Sequence, residues 1–459
     1  MSRNLGEPEV VDILERIIDA GMKKGVDFID IRYNLKEYEL YYVENSVLKE
    51  STYRRTKGIG IRVLLGGSMG FTSTNKSSLE DLEKALDKAI SIARAVNKVT
   101  SKIDLSKVPV VVDNVKSPYR EDPFTIDKET KIELLMDANK QSLVSTEVKN
   151  RISRLAFERD YRVYLSSEGA KIVSEVVLSG FSHLSVARIG ETMESHYDSK
   201  SKVAGYEFIE SIDWNTFTRE VSETAIKLAK ARTPPSGRFT IVADPPLVGL
   251  LLHEAFGHAS EADLVEADNS VLKNLLGKKV ANERVNIVDE GVKKGRTIIV
   301  ENGVLKSYLH SRSTAKNMGE EPTGNSRAMD YSHIPIVRQT NLYMLPGDES
   351  LEELIRETKK GFFVSGRGSM GGEVHPGMGT FTFSAGPSYV IENGEIKELV
   401  RGVALSGLIL EILNNVEGIS KEFEIETSVF GGCGKHGQLA RVGDGGPYIR
   451  VKNVNIGGR

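Results

Sequence analysis

The sequence predicts an α+β protein of two domains: N-terminal helices packed on an antiparallel sheet, then a C-terminal β-rich domain carrying a histidine-bearing helix. Three observations predict it. Apolar residues recur at helical spacing over 10–24, 79–97, 128–143 and 214–231, while between these runs β-branched and aromatic residues alternate with charges. The strongest breaker cluster, Thr233-Pro234-Pro235-Ser236-Gly237, separates this pattern from short β-like runs broken by Gly and Asn. At 459 residues the chain exceeds one ordinary core, so the boundary is placed there, giving domains of 1–232 and 237–459.

In 10–24, Val11, Ile13, Leu14, Ile17, Ile18 and Met22 form one stripe, and Gly25 supplies the C-cap. Strands follow at 28–34, 39–44, 52–56 and 58–65, with Gly66-Gly67 as a hairpin turn. The helix of 79–97 starts from Ser77 or Ser78 as N-cap and buries a stripe from Leu79 to Ala93, which packs on that sheet. A third helix spans 128–143, and strands resume over 151–198 with turns at Glu168-Gly169 and Arg188-Ile189-Gly190. The helix of 214–231 closes the first domain. Helices grouped beside antiparallel strands define the α+β class. The second domain opens with a strand at 238–243, continues into the histidine helix, and then reads as short strands, among them 297–301, 381–383, 389–391 and 449–451.

Composition excludes several function classes. With 61 basic and 64 acidic side chains the formal charge is -3, which steers the chain toward neither nucleic acid nor membranes. No run reaches the roughly 18 apolar residues of a membrane span, and 1–10 lacks a signal peptide's basic start and apolar core. A cytoplasmic protein is expected. The single cysteine, Cys433, rules out an intramolecular disulfide and agrees with a reducing compartment.

Chemistry concentrates after Asp244-Pro245-Pro246, where an apolar run gathers His253, Glu254, His258, Glu261 and Asp263. Neutral imidazole suits Zn²⁺, and a carboxylate beside the first ligand can deprotonate water whose pKa the metal has lowered to about 7. That is metal-assisted peptide hydrolysis. In the familiar His-Glu-x-x-His motif the ligands lie about 40° apart around an α-helix. Here the motif is HExxxH, and five residues turn about 140°, unless a wider π-type turn near Gly257 returns the histidines to one side. The competing reading is two buried histidines bonded to carbonyls. Cys433 lies in Phe430-Gly431-Gly432-Cys433-Gly434-Lys435-His436-Gly437-Gln438, whose glycines let the backbone approach a metal closely. Two His and one Cys would leave a fourth position open for water; the competing reading is a small buried apolar residue. Glu261 and Asp263 either replace Cys433 as a ligand, orient the histidines as hydrogen-bond acceptors, or cap the helix end; the orienting role is preferred. His333 and Arg338 are candidate substrate contacts, with structural hydrogen bonding as the alternative. His183, His196 and His310 read as structural.

These motifs resemble the TldD/PmbA family of metallopeptidases, on its TldD, zinc-bearing branch. The resemblance rests on His253-Glu254-Ala255-Phe256-Gly257-His258 with Glu261-Ala262-Asp263, on Gly432-Cys433-Gly434-Lys435 with Gly437-Gln438, and on Gly324-Asn325-Ser326-Arg327, 333–341, Gly371-Gly372-Glu373-Val374 and Phe383-Ser384-Ala385 in order. It implies one Zn²⁺ per chain held by His253, His258 and Cys433, with Glu254 activating water. It also implies an unfolded or short peptide substrate bound by strand addition inside a cavity enclosed by paired subunits, as a homodimer or a heterodimer with a TldE/PmbA-type paralogue. His375 departs from the pattern, standing where an acid or amide is expected, and is a candidate competing metal contact.

The rival function is a non-catalytic regulatory or peptide-binding subunit, against which an intact Glu254 argues. Gly366-Arg367-Gly368-Ser369-Met370-Gly371 satisfies the dinucleotide fingerprint as a string but lacks the strand-then-helix setting, so nucleotide binding is rejected. Gly434-Lys435-His436 lacks the frame of a phosphate loop, and Ser365 and Ser369 lack that of a nucleophile elbow.

Overall fold

Seven strands of the first half share one sheet, and the alternation of side chains along them explains how the molecule is layered. The computed structural model describes residues 7–96, 102–291, 295–368 and 371–458. Residues 1–6, part of the segment read as lacking a leader, lie outside these, as do Asn97 at the end of the second expected helix and Ser369 and Met370 of the Gly366–Gly371 string.

The first helix, α1 (Glu7–Lys23), precedes β1 (Phe28–Glu44), β2 (Val47–Leu65), β3 (Ser68–Thr74) and α2 (Leu79–Val96). Then come β4 (Val112–Lys116), α3 (Lys128–Gln141), β5 (Val148–Ser166), β6 (Lys171–Ile189) and β7 (Thr192–Lys202). The sheet runs β3-β2-β1-β5-β6, with β4 and β7 both pairing β6, and only the β4–β6 pairing is parallel. Gly66 and Gly67 make the expected tight turn, both with positive φ (61° and 81°). The expected strands 28–34 and 39–44 are one strand, as are 52–56 and 58–65. In β1 the intervening charge does not break pairing, because Glu37 is buried and accepts from Arg159 at 2.9 Å on the neighbouring strand; in β2 the exposed Lys57 stays paired opposite Leu35.

On β1 and β5 the odd positions, including Ile29, Ile31, Tyr41, Leu155, Phe157 and Val163, are buried and form an apolar face. Helices α1 and α2 cover one end of that face through Leu14, Ile17, Leu82 and Leu86. Helix α3 and the helix Trp214–Lys230 cover the other, where Trp214 stacks on Phe181 with ring centroids 4.4 Å apart. The even positions, among them Asp30, Arg32, Glu158, Asp160 and Arg162, form a polar face that meets the second half of the chain. Arg162 donates to the carbonyls of Ala328 and Met329, and Arg32 to that of His333. Tyr331 enters beside Gly58, where a Cβ would lie 2.2 Å from its ring.

The second half opens with β8 (Gly237–Ala243), which pairs with Lys360–Val364 in parallel and with Gly443–Gly458 antiparallel. These strands lie at the centre of a mixed sheet of 13 strands among the described residues, which agrees with the expected α+β class and β-rich C-terminal half. Its core runs from Ile241 through Leu251, Phe256 and Ile287 to Ile456. No helix among the described residues is long and apolar enough to cross a membrane.

Candidate metal centre

Asp244 ends β8 and caps the next helix, accepting from the Leu247 N–H at 2.9 Å, with Pro245 and Pro246 in the first turn where no N–H is needed. The helix Pro245–Leu250 widens over Leu251–Gly257 into a π-type turn, and the His258 N–H donates to the His253 carbonyl. That five-residue hydrogen bond brings His258 back over His253. Their rings lie 5.3 Å apart between centroids and nearly perpendicular, at 88°. Gly257 permits the geometry: a Cβ there would lie 2.1 Å from Oε1 of Gln339, whose Nε2 donates to the same His253 carbonyl at 3.0 Å.

Cys433 arrives on a separate hairpin, Cys433–Lys435 paired with Gln438–Ala440, turned by His436 and Gly437 at φ 48° and 73°. Its Sγ is 3.4 Å from Nε2 of His258, and ligand atoms of His253, His258 and Cys433 all lie within 4.8 Å of one another. Each imidazole is oriented from behind. Nδ1 of His253 is 2.7 Å from Oδ1 of Asp444, and Nδ1 of His258 is 2.9 Å from Oε2 of Glu261. With Nδ1 engaged, Nε2 of each ring is the nitrogen left to coordinate.

Burial disfavours charge on both imidazoles, but their partners prevail. Asp444 and Cys433 hold His253 well above its ordinary range, and Cys433 and Glu261 raise His258 to about 9. Burial alone would push the Cys433 thiol up; the two imidazoles instead bring it down to about 6. A cation entering here meets a thiolate and displaces imidazole protons.

Glu254 follows His253 directly and projects into a cavity of about 590 Å³ that His253, Cys433 and Asp444 also line. Its Oε2 is 3.9 Å from Nε2 of His258, and its side chain is 36% exposed. Asp263 lies one step back, bound with Glu261 to the buried Lys435 ammonium. Arg338 is fully buried and donates to the carbonyls of Cys433 and Gln438, so it pins the hairpin. His333 bonds Asp330 at 2.8 Å, and neither His333 nor Arg338 lines the cavity beside the histidines. His375 is exposed on the strand Gly371–His375 and is not among the clustered ligands. Sequence reasoning missed Asp444, Gln339 and the role of Lys435. An isolated acid within Gly443-Asp444-Gly445-Gly446, eleven positions after Cys433, was the available signal for the first.

Residues 29–93 match domain 1 of the PmbA/TldA metallopeptidases, residues 121–232 the central domain and residues 236–458 the C-terminal domain. The chain is 36% identical over 455 residues to a metalloprotease of Methanocaldococcus jannaschii, spanning 95% of this chain and 98% of that one. It is 31% identical over 460 residues to a Saccharolobus solfataricus protein named zinc metalloprotease TldD homolog, spanning 96% and 99%. Among solved structures it resembles TldE from Thermococcus kodakarensis (TM-score 0.72, 20% identity, 97% of this chain and 100% of that one). It also resembles a Thermotoga maritima protein solved as a candidate modulator of a DNA gyrase (TM-score 0.78, 22% identity, 97% and 100%). At these identities the two structures speak to the fold alone.

Proposed function

The chain belongs to the PmbA/TldD family of metallopeptidases, and from that premise we propose that it is a zinc-dependent peptidase in which His253, His258 and Cys433 hold one zinc ion and Glu254 is the general base. The observation that carries the reading is the convergence of two imidazoles and one thiol, each imidazole backed by a carboxylate, at the wall of a cavity that the Glu254 carboxylate also lines. Two nitrogens and one sulfur suit zinc, and three protein ligands leave a position for water, as a catalytic rather than a purely structural site requires. The name of the Saccharolobus relative supports the same metal. Zinc bound there would acidify water and polarise a substrate carbonyl.

The chain's own residues supply the rest. Asp444 and Glu261 fix the tautomer and direction of His253 and His258. Glu254, adjacent to the first ligand and accessible from the cavity, takes a proton from the attacking water and delivers it to the departing amine. The cavity is of a size that admits an extended segment and excludes a folded domain, so unfolded or short peptides are the substrates. The protein acts in the cytoplasm, paired with a second copy or with a TldE-type paralogue.

Metal analysis by mass spectrometry, together with cleavage of an unfolded peptide mixture, tests this. About one zinc per wild-type chain is expected, lost in Cys433→Ala and kept in an inactive Glu254→Gln. Zinc-loaded protein that cleaves nothing, alone or with its paralogue, would overturn the reading in favour of a peptide-binding subunit.

A further inference from the structure

A second cavity, of about 600 Å³, lies between the polar face of the first sheet and the second half of the chain. It shares Ser201, Lys202, Ile425, Glu426, Thr427 and Val442 with the cavity at the metal centre, so the two are immediate neighbours. Cys433 lines the first, and its cross-strand partner Ala440 lines the second. One strand spacing, about 5 Å, separates them.

The charge of the second cavity is unbalanced. Lys36, Arg162, Lys202, Arg327 and Arg441 line it against Glu158, Asp160 and Glu426. All three acids are already committed. Glu158 is shared by Lys36 at 3.0 Å and Arg441 at 2.6 Å, Asp160 holds Arg162 at 2.6 Å, and Glu426 pairs with Arg367 at 2.5 Å. Arg327 and Lys202 have no ion-pair partner among the described residues. The Arg327 guanidinium donates instead to the carbonyls of Gln339 and Arg441, each at 2.6 Å. Burial and the neighbouring Arg162 and Arg338 press its pKa down to about 10, with Asp289 and Cys433 offsetting this in part. A guanidinium removed from water and surrounded by like charge is stabilised by any carboxylate that reaches it.

We propose that this second cavity is a carboxylate-binding subsite, anchored by Arg327 with Lys202, for the free C-terminal carboxylate or an acidic side chain of a peptide. Because Cys433 and Ala440 are cross-strand neighbours, that carboxylate would sit across the hairpin from the bond presented to Glu254. A terminal carboxylate held there makes the protein an enzyme that releases short C-terminal fragments. The position of cleavage rests on the peptidase reading above; the preference for a carboxylate does not.

The test measures binding without turnover. Zinc-loaded Glu254→Gln protein is titrated with a fluorescently labelled alanine-rich hexapeptide as the free acid, as its amide, and as the amide with a penultimate Glu. The free acid is expected to bind about ten-fold tighter than the amide, the worth of one charge-assisted hydrogen bond. Arg327→Gln and, on an exposed strand end, Lys202→Glu should each remove most of that preference. Tight binding of the Glu-bearing amide assigns the subsite to any carboxylate, and weak binding assigns it to the C-terminus. Equal binding of acid and amide, or a preference that survives in both variants, overturns the proposal. A preference without cleavage by wild type would leave the subsite standing and sink the peptidase reading.

Discussion

Asp444 is the residue whose removal most directly probes how the centre is held together. Its Oδ1 lies 2.7 Å from Nδ1 of His253, a ring that is 4% exposed and meets no other side-chain partner on that nitrogen among the described residues. Asp444→Ala would free the ring to change tautomer and rotate, so that its Nε2 no longer points steadily at Cys433. Loss of such a backing carboxylate costs roughly ten- to a hundred-fold in metal affinity. The Asp444 side chain is 38% exposed, so solvent screens part of the interaction. The expected loss is therefore about ten- to thirty-fold, or about 1.4–2 kcal/mol. Asp444→Asn, which retains an acceptor oxygen, should lose less. Asp263→Asn should change affinity less than about three-fold, because its carboxylate touches Lys435 rather than an imidazole. Competition for zinc against a chromophoric chelator measures all three, with circular dichroism to confirm folding. A folded Asp444→Ala protein that binds zinc within two-fold of wild type would refute the reasoning.

Gly257→Ala should destabilise the protein by about 1–3 kcal/mol and weaken zinc binding, because the new methyl group meets Gln339 and forces the π-type turn apart. Thermal melting of the metal-free protein checks the first effect, and an unchanged melting temperature would show that Gln339 yields. Lys435→Met should cost about 2–4 kcal/mol, since it leaves the buried Glu261 with only the His258 imidazole and Asp263 without its ammonium, and chemical denaturation reads the loss directly. Acid should destabilise the fold before ordinary carboxylates titrate. Burial lowers His183 to about 3 and His196 and His310 to about 4, so below the unfolded value near 6.5 the unfolded chain binds more protons. Stability is complete above pH 6.5 and is lost as pH falls, by about 2 kcal/mol per histidine at pH 5. In the metal-free protein the raised His253 and His258 oppose this in part, because their contribution grows as pH falls through the unfolded value near 6.5 and levels off below it. A urea midpoint that is flat between pH 7 and pH 5 would contradict this.

Local pattern carried far in this chain, and the places where it stopped have physical causes. Helices 10–24, 79–97, 128–143 and 214–231 were legible because a 3.6-residue stripe and its caps are written in neighbouring residues; where the ends are described, the structure moves them by at most a few residues. The long strand β1 was read in pieces because its interrupting Glu37 is buried only through a partner on another strand, Arg159, and β2 because Lys57 sits on an exposed stretch with no apolar alternation to mark it. Arg338 looked like a substrate contact because an arginine's burial depends on what folds over it, here the Cys433 hairpin.

The sequence by itself determined the α+β class, the grouping of His253, Glu254 and His258, and the need for a widened turn, since five-residue spacing around an α-helix would part the two rings. Only the tertiary structure decided that Cys433, 175 positions from His258, completes the cluster, that Asp444, 191 positions from His253, orients it, and that a cationic cavity opens across the same hairpin. Those relations depend on strands paired across the whole second half of the chain, and side-chain period and spacing record only which neighbours share a face, not which distant strand will lie beside them.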